Sequence, residues 1–114
     1  MIFSGTSPDG EKHLEKIFKG LKTQTRRQWD HYDVGKTYAV QPKRTGKADP
    51  RGRIKILDKW PEYQFTVSKY GPRISKESAR DEGGYTPEEY EALYSRMYGT
   101  DWKERYAYIF VVVK

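Results

Sequence analysis

The stretch TPEEYEALYSRMYG, residues 86–99, constrains this chain more than any other. Threonine before proline, with glutamate three positions after the threonine, predicts an N-terminal capping box with proline in the first helical turn. Tyr90, Leu93, Tyr94, Met97 and Tyr98 then recur on one helical face, and Gly99 supplies a stop. A helix is therefore expected after Thr86, its tyrosine stripe turned to a core rather than to a ligand.

The other elements follow from periodicity. Glu11 to Lys19 places Leu14, Ile17 and Phe18 at helical spacing, and Gly20 stands where a helix ends. A turn over Asp33 to Lys36 leads to a strand through Thr37 to Gln41, closed by Pro42. Arg53 to Trp60 and Tyr63 to Val67 alternate as strands, and Ser75 caps a short helix over Lys76 to Glu82 ahead of Gly83 and Gly84. Glu104 to Val113 is rich in tyrosine and valine without alternation, the pattern of a strand covered on both faces. At 114 residues, without repeats, this order predicts one α+β domain, 1–114, with a small mixed sheet or barrel and helices against it.

Charged residues are 33% of the chain, but aromatics reach 15%, which argues for a folded core over a disordered polyelectrolyte. Cysteine is absent, which removes disulfides, thiolate metal sites and thiol nucleophiles. The first residues lack a secretory pattern, and the apolar run YAYIFVVV is too short to span a bilayer. A cytoplasmic protein with no membrane partner is the expectation. His31 lies between Asp30 and Asp33, but His13 is 18 residues earlier in the first helix, so neither a metal nor any other cofactor is expected.

Positive charge concentrates in the first half, with 14 basic and 7 acidic residues up to Lys59 against 8 and 9 beyond it. Such a field attracts phosphates. Two segments carry it. In GLKTQTRR, residues 20–27, Lys22 and Thr25 point to opposite faces if the segment is regular strand, and share a pocket if it is irregular. In the second case a partly desolvated Lys22 activates the Thr25 hydroxyl, and Arg26 and Arg27 clamp a phosphate or carboxylate. A solvated basic turn remains the other reading of these residues. The second segment is the loop KRTGKADPRGR, where Lys43, Arg44, Lys47, Arg51 and Arg53 suit contacts to a nucleic-acid backbone or serve solubility. Glu82, at a helix end before two glycines, is a candidate carboxylate beside them, or a surface charge.

Together these pieces resemble the ASCH domain family of the PUA-like superfamily. KIFKGLKTQTRR is similar to its Gly-x-Lys-x-x-Thr-x-Arg signature at Gly20, Lys22, Thr25 and Arg27. DVGKTYAVQP resembles the strand that follows, and ISKESARDEGGYTPEEYEALY the Glu-Gly segment with its helix; YAYIFVVV takes the place of the last strand. The resemblance covers nearly the whole chain and implies a PUA-like β-barrel with two or three flanking helices. It also implies a cleft, lined by the signature loop, for RNA, a nucleotide or a modified nucleoside. Some bacterial members are amidohydrolases acting on N4-acetylated cytidine, and others have been described as ribonucleases. By motif the amidohydrolase lysine, threonine and glutamate fall on Lys22, Thr25 and Glu82. Two departures stand out: Gly84 replaces the aromatic that commonly follows Glu-Gly, with Tyr85 one step later, and the insertion Lys43 to Arg53 is longer than expected.

Overall fold

The computed structural model describes residues 1–63, 74–99 and 104–114. Helix α1 is His13–Phe18, followed by strands β1 (Gln24–Arg27), β2 (Thr37–Ala39) and β3 (Arg53–Tyr63). Helices α2 (Lys76–Asp81) and α3 (Pro87–Tyr98) precede strand β4 (Glu104–Val113). The sheet order is β1-β4-β3-β2, and each of the three strand pairings is antiparallel. No helix among the described residues is long and apolar enough to cross a membrane.

Closure into a barrel, expected from the family resemblance, is corrected by this topology. β1 and β2 lie at opposite edges, with four and three residues, and do not pair with each other. Four strands with such short edges cannot supply the ring of tilted strands that closure demands. The mixed sheet is likewise replaced by an antiparallel one. A parallel contact does occur outside the strands, as an isolated bridge between Ile2 and Gln41.

β3 runs unbroken to Tyr63 through Pro61, where two strands were expected, and residues 64–67 of the second lie outside the described residues. Proline is tolerated at 61 because β2 pairs only with Arg53 to Lys55, so among the described residues this half of β3 has a neighbour on β4 alone. A register shift between Ile56 and Asp58 marks a bulge that leaves Leu57 half exposed. Opposite it, Ala107 and Tyr108 are both fully buried on successive positions of β4, so the middle of that strand is covered on both faces, while Val111 near its end is exposed.

Burial is divided between two apolar clusters. Leu14 and Ile17 of α1 pack with Phe3, Val40, Ile54, Ile56, Tyr108 and Phe110 on the sheet. Ile74, Ala79, Tyr85, Tyr90 and Tyr94 form the other beneath α2 and α3. The capping box forms as the sequence predicts: Thr86 Oγ1 accepts from Glu89 N at 3.2 Å, and Thr86 N donates to Glu89 Oε1 at 2.8 Å. The tyrosine stripe, however, is split. Tyr90 and Tyr94 are buried, whereas Met97 is 60% exposed.

The glycine pair after α2 has a sharp requirement. Gly84 has φ +88°, and a Cβ there would lie 3.0 Å from Lys16 Nζ, itself held by Gly83 O at 3.0 Å and Asp9 Oδ2 at 2.8 Å. Gly84→Ala is expected to destabilise the domain by about 1–2 kcal/mol, combining left-handed strain with displacement of Lys16. Denaturant unfolding of the variant against the parent measures it.

Candidate functional site

The site begins with the way α1 stops. Gly20 adopts φ +76°, its N–H returns to Ile17 O at 3.1 Å, and Leu21 N–H returns to Lys16 O at 2.9 Å. This left-handed end reverses the chain and delivers Lys22 inward. Thr23 N then donates to Asp81 O at 2.9 Å and Phe110 N to Thr23 O at 3.0 Å, which pins the segment between α2 and β4 before β1 begins.

Lys22 is therefore irregular backbone, Thr25 lies on β1, and both line one cavity of about 460 Å³. Phe3, His13, Arg26, Arg27, Glu82, Tyr85 and Tyr90 share its wall. Phe3 belongs to the sheet cluster and the two tyrosines to the helical one, so the cavity occupies the seam between the cores.

Lys22 Nζ donates to Gln24 O at 2.9 Å and to Glu82 O at 2.5 Å, and lies 3.5 Å from Glu82 Oε1. Both residues are almost wholly buried. Burial pushes the Lys22 ammonium down to about 8, Glu82 opposing the fall while Arg27 and Arg26 add to it. Tyr90, also buried, is pushed well above its usual value by burial and then by Glu82, and stays a neutral phenol.

Arg26, expected to clamp a phosphate or a carboxylate, is engaged by two carboxylates of this chain. Its Nε and NH2 meet Glu62 at 2.8 and 3.1 Å, its NH1 reaches Glu82 Oε2 at 2.9 Å, and NH2 also donates to Ser78 Oγ at 3.0 Å. Glu62 turns its Oε1 to Arg105 Nε as well, at 2.7 Å, and Arg105 clasps Glu91 at 2.6 and 3.0 Å. Lys22, Glu82, Arg26, Glu62, Arg105 and Glu91 thus form a line of alternating charge from the cavity to α3. Burial alone would raise Glu62, but the two arginines hold it down at about 2.

Thr25 Oγ1 accepts from Arg27 Nε at 3.2 Å and, among the described residues, donates to no other group. Arg27 NH2 donates to Ile2 O at 2.6 Å, and the guanidinium lies over the Phe3 ring at 4.8 Å. The basic loop is elsewhere. Lys43, Arg44 and Lys47 are exposed, Arg51 pairs with Glu15 and Asp49, and Arg53 donates to Thr37 O at 3.2 Å.

His13 and Tyr85 were not singled out as site residues by the sequence. His13 Nδ1 meets Ser4 O at 2.9 Å and Nε2 meets the Tyr85 hydroxyl at 2.5 Å. Burial, followed by the charge of Lys22, lowers His13, so the ring is neutral near pH 7. A carbonyl can only accept; Nδ1 therefore carries the proton, and Nε2 accepts from Tyr85. Burial, with Glu82 and Glu89, pushes Tyr85 up to about 12, which keeps it a donor. The available signal was helical phase: His13, Lys16 and Ile17 share one face of α1, and Ile17 is core. No local pattern announces Glu62, whose role depends on β3 and β1 flanking β4.

The domain has an ASCH-like fold. The chain superposes on the high-resolution crystal structure of an ASCH domain from Lactobacillus crispatus with a TM-score of 0.62, covering 97% of this chain and 79% of that one at 14% identity. No family model and no curated protein matches the sequence.

Proposed function

We propose that the cavity holds a modified nucleoside and hydrolyses its exocyclic N-acyl group, in the manner of an N4-acetylcytidine amidohydrolase. The observation that carries this reading is the buried Lys22, 3.5 Å from the Glu82 carboxylate, in the same wall as a threonine whose hydroxyl donates to no group among the described residues. A solvated basic turn would not bury its lysine.

In this mechanism the neutral Lys22 amine takes the Thr25 proton as Oγ1 attacks the amide carbonyl. Arg27 Nε, donating to Oγ1, holds the hydroxyl oxygen in place for the attack. The proton passes from Lys22, with Glu82 as its neighbour, to the departing nitrogen as the C–N bond breaks. Water then attacks the threonyl ester, Lys22 again acting as base, and releases the carboxylic acid. Tyr85 and Tyr90 offer apolar ring surface for the base.

Purified protein incubated with N4-acetylcytidine is expected to release acetate, and Thr25→Val to lower turnover by at least about 10³-fold while circular dichroism stays native. Full activity in Thr25→Val, or no turnover by the parent, refutes the hydrolase reading. Binding of RNA without chemistry is favoured by a separate observation: Lys43, Arg44 and Lys47 are exposed and have no carboxylate partner among the described residues.

A further inference from the structure

The charges around the cavity do not balance, and the surplus has an address. Lys22, Arg26 and Arg27 line it, and the carboxylates that meet them are Glu82 and Glu62. Glu82 answers Lys22 and Arg26, and Glu62 answers Arg26 again from behind. Arg27 has no carboxylate partner among the described residues: its contacts are the Thr25 hydroxyl, the Ile2 carbonyl and the Phe3 ring, all formally neutral. Its NH1 donates to nothing among them. A guanidinium in a partly enclosed wall, with donors left over and no counter-charge, is arranged to receive an anion.

The surroundings agree. Ser4, Gly5 and Thr6 line the exposed rim of the same cavity, and their backbone N–H groups have no acceptor among the described residues. Gly5 has φ +81°, a left-handed turn of the kind that gathers successive amides around an anion. Arg27 NH2 is bonded to Ile2 O, so this turn follows closely on the residue that anchors the guanidinium. Thr25 and Arg27 share one face of β1, and Arg27 Nε already meets Thr25 Oγ1 at 3.2 Å, so an anion would be received at the outer edge of the guanidinium, at NH1, with the acyl group on the other side of the hydroxyl.

We infer that Arg27, with the amides of Ser4 to Thr6, is a phosphate subsite, and that the ligand of the cavity is a nucleoside 5′-monophosphate rather than the free nucleoside. The inference rests on the nucleoside reading above and extends it to the substrate's charge. One open guanidinium and a cavity of this volume suit a single terminal phosphate rather than a polymer.

Calorimetric titration of the full chain with cytidine and with cytidine 5′-monophosphate tests it. The monophosphate is expected to bind at least about tenfold more tightly, the worth of one charge-assisted contact. That ratio is expected to collapse toward one in Arg27→Gln and to survive in part in Arg27→Lys, with thermal melts confirming that each variant is folded. The ratio is internal to each variant, so a general loss of affinity does not imitate the result. Equal binding of the two ligands by the parent overturns the subsite and leaves the nucleoside reading standing. A preference that persists in Arg27→Gln also overturns it, because the phosphate then sits elsewhere. Binding of neither ligand removes both readings, and a short cytidine oligonucleotide that outbinds the monophosphate contradicts the choice of a terminal phosphate.

Discussion

Glu82→Ala is expected to destabilise the domain by about 3 kcal/mol at pH 7, enough to lower its melting temperature by roughly 10 °C. Glu82 is 1% exposed and receives Lys22 on one carboxylate oxygen and Arg26 on the other. Removing one partner of a buried pair leaves the remaining charge without compensation, which costs more than the intact pair ever contributes. The two cations respond differently. Arg26 retains Glu62 but cannot shed its proton, whereas Lys22 loses its carboxylate and can.

That difference fixes the pH dependence of the loss. In the parent Lys22 titrates near 8, below its unfolded value of 10.5, and the variant lowers it further because the field of Glu82 is gone. Well below both folded values the lysine is charged in parent and variant alike, and its full share of the penalty is present. Above about 8 it is neutral in both, and that share disappears. Urea unfolding of Glu82→Ala at pH 7 and pH 9 is therefore expected to show a smaller gap from the parent at the higher pH. A gap within about 0.5 kcal/mol of zero at pH 7 would mean that the carboxylate does not hold these cations in solution.

The second large effect is kinetic. If the neutral amine of Lys22 is the base, kcat/KM for N4-acetylcytidine climbs about tenfold per pH unit below 8 and levels above it, since only about a tenth of Lys22 is unprotonated at pH 7. Lys22→Arg, cationic throughout this range, is expected to lose at least about 10³-fold and to show no such limb. A profile that is flat between pH 6 and 9 in the parent would assign the proton transfer to another group.

Local signals carried most of the secondary structure. The Thr86 to Glu89 box and the Gly20 stop each consist of residues whose preferred backbone states leave few alternatives. What escaped was set by distance along the chain. Whether β1 and β2 meet depends on which strands lie between them, and no residue in either one encodes that. Arg26 illustrates the same limit at the site. Beside Arg27 in sequence it reads as half of a clamp for a phosphate or a carboxylate, and only alternation on β1 and the tertiary fold turn it toward Glu82 and Glu62, 56 and 36 residues further on. Lys22 and Glu82 were legible together through the family resemblance, since no spacing rule links positions 60 residues apart.

Because the cavity occupies the seam between two apolar clusters, whatever fills it touches both. Its binding free energy then works as cement between the halves instead of tightening a single loop, and by mass action a ligand at a hundred times its dissociation constant would add about 2.7 kcal/mol to the stability of the ensemble. If the proposed ligand occupies this seam, recognition and cohesion share one location in the chain, and the empty molecule is the looser form.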